Sequence, residues 1–188
     1  MCIRDRVNAG GAWGDKVAEL AGVEPVGLSP MRRTAFTTPV AADPSSWPFV
    51  YCDDPELHCY LKPEAGNQLL CSLADESPEA PRDTRAEEID VAMAIDRINT
   101  ITTLGLRSVA TTWAGQRTFA PDRNPVWGFD DQVEGFYWLV GQGGWGIISS
   151  PAAGRIVKAA VVDAAFPSDL ASKGLSMQGF GPERLRVG

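Results

Sequence analysis

The segment FYWLVGQGGWGI, residues 136–147, constrains the fold of this chain more than any other. An apolar, aromatic-rich run ends in a glycine cluster, and a small-residue helical pattern follows it. This order is typical of a strand, a tight turn and a helix that begins beside the turn. Backbone N–H groups and the helix dipole at such an N-terminus can hold an anionic group. The segment therefore predicts either a turn that contacts an anionic cofactor or a turn whose glycines serve close packing.

Gly141, Gly143 and Gly146 also fit the G-x-G-x-x-G pattern of dinucleotide-binding proteins. That pattern normally opens a βαβ unit, with an acidic residue about 20 positions later at the end of a second strand. Asp163 stands near that distance, but the residues after 166 are polar and rich in Gly, Pro and Ser. Without further strand–helix units, a nicotinamide-dependent enzyme is the weakest interpretation, and it requires a strand that ends at Asp163.

Composition excludes several classes of function. The net charge is −7 and the basic residues are scattered, which argues against a nucleic-acid surface. No apolar run approaches the length of a membrane span. A zinc site is improbable because His58 is the only histidine and the cysteines lack CxxC spacing. Reduced thiols predict a cytoplasmic protein. The four cysteines are Cys2, Cys52, Cys59 and Cys71.

Hydrophobic periodicity and turn residues predict an α+β chain with a mainly antiparallel sheet. A capping box at residues 84–87 is expected to start the second helix, and the chain beyond residue 167 is expected to be loop and a loosely held tail. The predicted helices cover residues 11–21, 84–102 and 146–162, and the predicted strands cover residues 31–38, 49–52, 59–62, 68–72, 106–114, 126–129 and 136–140.

Three arginines and a tyrosine are the candidates for binding a ligand. Arg32 and Arg33 lie in one apolar strand, so alternation directs them to opposite faces, and one of them should face a ligand or a covering layer. Arg117 follows the small turn at residues 114–116. A planar guanidinium suits a carboxylate, and the hydroxyl of Tyr60 could complete such a site. Structural ion pairs with Asp or Glu remain the alternative. No side chain is an evident general base or nucleophile, so an enzyme of this sequence needs a cofactor for its chemistry.

Five segments, taken in order, resemble the C-terminal half of FAD-dependent oxidoreductases of the D-amino-acid oxidase superfamily, and among them catabolic D-amino-acid dehydrogenases. The segments are VNAGGAWGDKVAELAGV, PMRRTAF, CYLKPEAGNQLLCS, TTWAGQRTFAPDRNPVWGF and GFYWLVGQGGWGI. The resemblance implies that residues 1–24 end a segment of the FAD domain, with residues 1–6 foreign or disordered. Residues 25–120 would form a substrate-binding domain with an antiparallel sheet. Residues 121–165 would return to an incomplete, Rossmann-like FAD domain, and residues 166–188 would be a tail.

The resemblance also implies roles for individual residues. Arg33, Tyr60 and Arg117 would bind the substrate's carboxylate, and the carbonyl of Gly144 would accept a hydrogen bond from the substrate amine. The implied flavin-binding residues are Gln142, Gly143, Gly144, Trp145, Gly146, Ile147 and Ile148. The implied reaction is oxidation of the Cα–N bond of an amino acid, with FAD as hydride acceptor.

The N-terminal βαβ unit of the family is absent from this sequence. We therefore expect the chain to need the missing N-terminal half of the same enzyme as its partner, and to be inactive without it. The competing interpretation is an autonomous, non-catalytic α+β interaction module, which predicts a folded monomer without an exposed apolar face.

Overall fold

The computed structural model describes residues 5–162 and 164–186, and these residues form nine strands and four α-helices. The described residues divide into two units, Met31–Gln116 and a second one made of Met1–Pro30 with Arg117–Gly188. The strands are β1 Arg6–Asn8, β2 Ser29–Pro39, β3 Val50–Cys52, β4 Cys59–Glu64, β5 Gln68–Ser72, β6 Ser77–Pro78, β7 Thr111–Phe119, β8 Val126–Phe129 and β9 Phe136–Val140; the helices are α1 Gly14–Leu20, α2 Glu88–Ile101, α3 Gly146–Val161 and α4 Ser168–Ala171.

The predicted α+β class with mainly antiparallel sheets is confirmed. In the unit Met31–Gln116 the strands follow the order β3-β4-β5-β2-β6, and β7 also pairs with β2. In this sheet β2 is antiparallel to β5 and β6, and β4 is antiparallel to β3 and β5. One face of the sheet packs against α2 through a core that includes Phe36, Leu69 and Ile98, all fully buried. This core fixes which strand residues point away from α2.

The helix α2 begins later than the sequence predicted. Glu87 is its N-cap residue with extended backbone dihedrals, and no side chain caps the helix. The predicted capping box at residues 84–87 is therefore wrong. Glu87 instead bonds the buried guanidinium of Arg32, which also lies 3.0 Å from the carboxylate of Asp90. These ion pairs neutralise an arginine on the α2 side of the sheet, and the Glu87 side chain takes part in them instead of in a capping box.

Strand β7 is also displaced from its prediction. It runs from Thr111 to Phe119, whereas the sequence predicted residues 106–114. Gly115 thus lies inside the strand, and the predicted small turn before Arg117 does not exist. Segment 106–110 lies outside regular structure, and its Ala110 amide donates to the Thr37 carbonyl.

The second unit contains a three-stranded sheet in the order β1-β9-β8. Strand β1 is parallel to β9, and β8 is antiparallel to it. Arg6 belongs to β1 and donates its backbone N–H to the Gly135 carbonyl at 2.7 Å, so Arg6 is ordered, while the foreign origin of residues 1–6 stays a prediction. The part of that expectation on residues 1–4 lies outside the described residues. Trp138 and Val140 of β9 are fully buried in this unit.

The C-terminal segment is held by arginines, contrary to the predicted loose tail. Arg184 donates to Asp122 and to four backbone carbonyls, and its hydrogen bonds lower the pKa of Asp122 to about 2. Arg186 pairs with Asp131 and with Asp130, whose side chain is fully buried. No periodic pattern indicates this anchoring, because the acids that pair with Arg184 and Arg186 lie more than 50 positions earlier in the chain.

Asp130 should be the carboxylate on which the stability of this unit depends most. Burial alone raises its pKa, but hydrogen bonds from Arg186 and from the Trp138 indole outweigh burial and hold the pKa below 3.8. A lowered folded-state pKa stabilises the fold above the unfolded-state pKa, and this contribution is lost as the pH falls through the folded value. Asp130→Asn should cost about 3 kcal/mol of unfolding free energy at pH 7, because it leaves Arg186 buried without its partner charge.

The measurement is urea unfolding of the wild type and the variant between pH 7 and pH 3. The difference in unfolding free energy should begin to shrink below about pH 4, where the Asp130 carboxylate of the unfolded wild type takes up a proton, and should be lost as the pH falls through the lowered folded-state pKa. Asp131→Asn is the matched control, since Asp131 bonds the same arginine from a partly exposed position. Equal losses in the two variants would contradict the role given to Asp130.

Candidate functional site

The turn between β9 and α3 contains two glycines in the left-handed backbone region. Gly141 has φ of 75° and Gly143 has φ of 54°, a conformation that side chains make costly. The Gly143 amide donates to the Thr118 carbonyl at 2.9 Å, and the Trp145 amide donates to the Gln142 carbonyl at 3.0 Å. The first of these bonds fastens the turn to the end of β7, and the second lies within the turn. The strand–turn–helix unit predicted for residues 136–147 is thus present.

Two side chains of β7 lie directly on this turn. A Cβ atom at Gly143 would come closer than 3.0 Å to the ring of Phe119, and one at Gly144 would lie 2.9 Å from Nη1 and 3.3 Å from Cζ of Arg117. Arg117 and Phe119 are two residues apart, so strand alternation directs them to the same face. The absence of side chains at two consecutive positions therefore lets a ring and a guanidinium reach the backbone of the turn.

Phe119 was not among the residues that the sequence singled out. It is buried, and the guanidinium carbon of Arg123 lies 4.1 Å from the centre of its ring. This geometry matches a cation–π contact. The signal that could have identified Phe119 is its spacing of two from Arg117, but the predicted strand ended before either residue.

Arg117 is half-buried, and no carboxylate among residues 5–162 and 164–186 forms an ion pair with it. Other partly buried arginines have acidic partners, such as Asp90 for Arg32 and Asp130 for Arg186. A guanidinium that lies on a glycine backbone without an acid beside it is well suited to bind a carboxylate of a ligand.

The N-terminus of α3 follows directly after the turn and is open to solvent. The N-cap residue Trp145 makes no side-chain cap, and the first turn of the helix contains no acid. The exposed fractions of Trp145, Ile147 and Ile148 are 70%, 93% and 75%. Free N–H groups of a 16-residue helix and an apolar surface beside them can bind a ligand with both an anionic and a flat apolar part.

Arg33 and Tyr60 belong to the unit Met31–Gln116. Phe36 and Leu61 face α2, so strand alternation places Arg33 and Tyr60 on the opposite face of the sheet. Arg33 lies 3.4 Å from Glu76. The ring of Tyr60 lies 6.0 Å from that of Phe49. The sequence left open whether Arg32 or Arg33 faces a ligand, and only Arg33 lies away from α2.

Two classes of site find no support in the described part of the chain. Residues 5–162 and 164–186 contain no group of three His, Cys, Asp or Glu side chains that could hold a metal ion. No helix in the same ranges is long and apolar enough to cross a membrane. The strand that a nicotinamide site requires before Asp163 is also missing, because α3 continues through Val161. Asp163 itself lies outside the described residues.

The glycine contacts predict different outcomes for Gly143→Ala and Gly144→Ala. The first variant meets a buried ring and strains a left-handed φ, so it should lose about 2 kcal/mol of unfolding free energy. The second meets the far end of a flexible side chain, so it should unfold nearly as the wild type does but displace the Arg117 guanidinium. Gly154→Ala is the control, since Gly154 is an exposed helical position with open space around it.

Thermal and urea unfolding of the three variants measure these differences. Gly154→Ala should be neutral or slightly stabilising because alanine favours a helix interior. A Gly143→Ala variant as stable as the wild type would contradict the close contact with Phe119.

The comparison with protein families supports a flavin site. The family described as "DAO: FAD dependent oxidoreductase" matches residues 2–160. The FAD-dependent oxidoreductase domain-containing protein 1 of Xenopus laevis is 29% identical over 178 residues, which cover 85% of this chain and 35% of that protein. The chain therefore spans about a third of the length of this relative.

Solved structures show the same fold. Glycine oxidase from Geobacillus kaustophilus matches with a TM-score of 0.71 and 22% identity, over 86% of this chain and 42% of that one. L-proline dehydrogenase from P. horikoshii matches with a TM-score of 0.76 and 22% identity, over 96% and 46%. The family match covers most of the sequence and includes the glycine turn and most of α3. The chain belongs to the DAO family of FAD-dependent oxidoreductases.

Proposed function

We propose that this chain contributes the substrate-carboxylate site and part of the FAD site of an enzyme that oxidises the Cα–N bond of an amino acid. The observation that carries the proposal is the half-buried guanidinium of Arg117 on the backbone of Gly144, without an acidic partner in the described residues. An amino acid has a carboxylate next to its amine, so one arginine can orient the carbon between them.

The residues of the turn fit the family's cofactor, FAD. Gly143 and Gly144 add no side chain of their own to the turn, and the α3 N-terminus offers N–H groups and a positive dipole end. A dipole of this sign would stabilise negative charge on a bound ring system. We therefore assign the flavin contact to the turn and the first residues of α3, which are Gln142, Gly143, Gly144, Trp145, Gly146, Ile147 and Ile148.

FAD, when bound, supplies the chemistry by accepting a hydride from the substrate carbon, which leaves an imine that water hydrolyses to a 2-oxo acid and ammonia. The protein's own residues bind and orient. Arg117 would hold the carboxylate through two parallel hydrogen bonds, with Arg33 and Tyr60 assisting, and the Gly144 carbonyl would accept from the amine. Such positioning fixes which C–H bond can react.

We propose a D-amino acid as the substrate, on the sequence resemblance to D-arginine dehydrogenase. The same resemblance supports a division into a substrate-binding domain over residues 25–120 and FAD-domain segments over residues 1–24 and 121–165. Glycine oxidase, L-proline dehydrogenase and an L-amino acid deaminase, which are similar in structure to this chain, are each named for an amino-acid substrate. The proposal of an amino-acid substrate is thus supported by several similar proteins. The proposal of the D configuration is supported by the sequence resemblance alone.

Because the chain spans 42% of the glycine oxidase and 46% of the L-proline dehydrogenase, we propose that activity also needs the part of the enzyme that matches their remainder. The exposed apolar residues support this view. Leu20 on α1 is 89% exposed, and Ile147 on α3 is 93% exposed. An autonomous interaction module predicts a surface without such residues, and a missing neighbour explains them better.

Arg117→Ala in the complete gene product should lower kcat/KM for the amino-acid substrate about 100-fold, because a charge-assisted bidentate contact is lost. Arg117→Lys should recover part of the loss, since the charge remains without the planar fork. Arg107→Ala, at an exposed position, is the control and should behave as the wild type. Steady-state kinetics with a series of D- and L-amino acids provide the measurement, and unchanged kcat/KM in Arg117→Ala would refute the assignment.

The purified chain alone should bind FAD weakly or not at all and show no turnover. The measurement is the flavin absorbance spectrum after incubation with FAD and gel filtration, with far-UV circular dichroism to establish that the chain is folded. Stoichiometric retention of the yellow cofactor by the folded chain would contradict the need for the missing part.

A further inference from the structure

Three cysteines lie in neighbouring strands of the sheet in the unit Met31–Gln116. Cys52 on β3 and Cys59 on β4 are direct cross-strand partners, and Cys71 on β5 is the partner of Leu61. All three thiols pack in or against the core under α2. In the structure they are free cysteines.

The register makes only one pair close enough for a covalent bond. Directly opposed residues of antiparallel strands have Cα atoms about 4.5–5.5 Å apart, which is within the range that a disulfide spans. Their Cβ atoms, about 4.5–5.5 Å apart in such pairs, need to approach by about 1–2 Å to reach the separation usual in a disulfide. Cys59 and Cys71 are diagonal neighbours instead, at about 7–8 Å, which is beyond that range. Cys52 and Cys59 are therefore the reachable pair.

Exposure determines which thiol meets an oxidant first. Cys52 is half-buried, whereas Cys59 and Cys71 are fully buried. Burial raises the pKa of the Cys71 thiol to about 12, and burial together with the neighbouring Cys52 raises the pKa of Cys59. Buried thiols with raised pKa values react poorly with reagents from solvent. Cys59 can still react with a sulfur atom that is held beside it on the next strand.

We propose that Cys52 and Cys59 form a redox modification site, in which a peroxide converts the two thiols to a disulfide across the β3–β4 hairpin. The Cys52 thiolate attacks the peroxide, the O–O bond breaks, and a sulfenic acid and water result. The Cys59 sulfur then attacks the Cys52 sulfur, the S–S bond forms, and the sulfenic oxygen leaves as a second water. The thiols lose two electrons, and hydrogen peroxide gains them.

The bond would fix the hairpin at the rung next to the Tyr51–Tyr60 pair. The loop between the strands is held in the reduced protein by Asp54, which accepts from the Glu56 amide at 2.8 Å. Tyr51 also bonds His58 at 2.6 Å, so the covalent link would add to an existing network at the hairpin. Oxidation should therefore stiffen this edge of the sheet and raise Tm by about 5 °C. This disulfide would form whether or not the chain takes part in the proposed flavin chemistry.

Peptide mapping of the folded full chain tests the site. A Cys2→Ser background confines the chemistry to the three sheet thiols. The protein is treated with hydrogen peroxide, blocked with N-ethylmaleimide and cleaved after Glu56 without reductant, which separates the two cysteines in sequence. The expected product is a pair of peptides that stay linked, about 2 Da lighter than their sum, and that separate with a phosphine reductant.

Two cysteine variants test which thiols form the bond. Cys71→Ala should keep the linked peptides, and Cys52→Ala should lose them while Cys59 and Cys71 stay thiols. The proposal is overturned if oxidised protein contains a Cys59–Cys71 bond instead. It is also overturned if Cys52 proceeds to the sulfinic acid while Cys59 remains a thiol. Circular dichroism of each variant ensures that the mapping reports on folded protein.

Discussion

Two consecutive residues without side chains, Gly143 and Gly144, are the constraint on which the candidate site depends. Their bare backbone leaves room for the Phe119 ring and the Arg117 guanidinium, which come from one face of β7. The hydrogen bond from the Gly143 amide to the Thr118 carbonyl holds the same strand end to the turn. Any side chain at these positions would displace one of the two groups. The glycines thus serve close packing, which is one of the two uses that the sequence presented as alternatives, and the proposed function gives them the second use as well.

The same geometry separates arginines that stabilise the fold from one that is available to a ligand. Arg32 and Arg186 are neutralised by buried or half-buried acids and hold α2 and the C-terminal segment in place. Arg117 lies on neutral backbone instead. The proposed oxidation of an amino acid needs a cation to orient the carboxylate, and Arg117 is our candidate because it lies on the turn that precedes the uncapped N-terminus of α3.

The local sequence pattern was enough to predict an element where apolar and polar residues alternate, or where an apolar run precedes a turn. The strands Gln68–Ser72, Val126–Phe129 and Phe136–Val140 and the helix from Gly146 agree with the sequence analysis. The local pattern gave wrong predictions where contacts with residues distant in the sequence determine the local structure. Glu87 bonds Arg32 rather than capping α2, and Gly115 stays in a strand because β7 pairs with β2. The anchoring of the C-terminal segment and the contact of Phe119 with Gly143 likewise depend on tertiary contacts that no short-range pattern encodes.

A double-mutant cycle between positions 117 and 144 in the complete gene product tests the central claim most directly. If a Cβ at Gly144 acts by moving the Arg117 guanidinium, then Gly144→Ala should lower kcat/KM in the wild-type background and have almost no further effect in Arg117→Ala. Strong coupling between positions 117 and 144 is the expected result. Independent, multiplying losses in the double variant would show that the two residues do not act through one contact, and would contradict it.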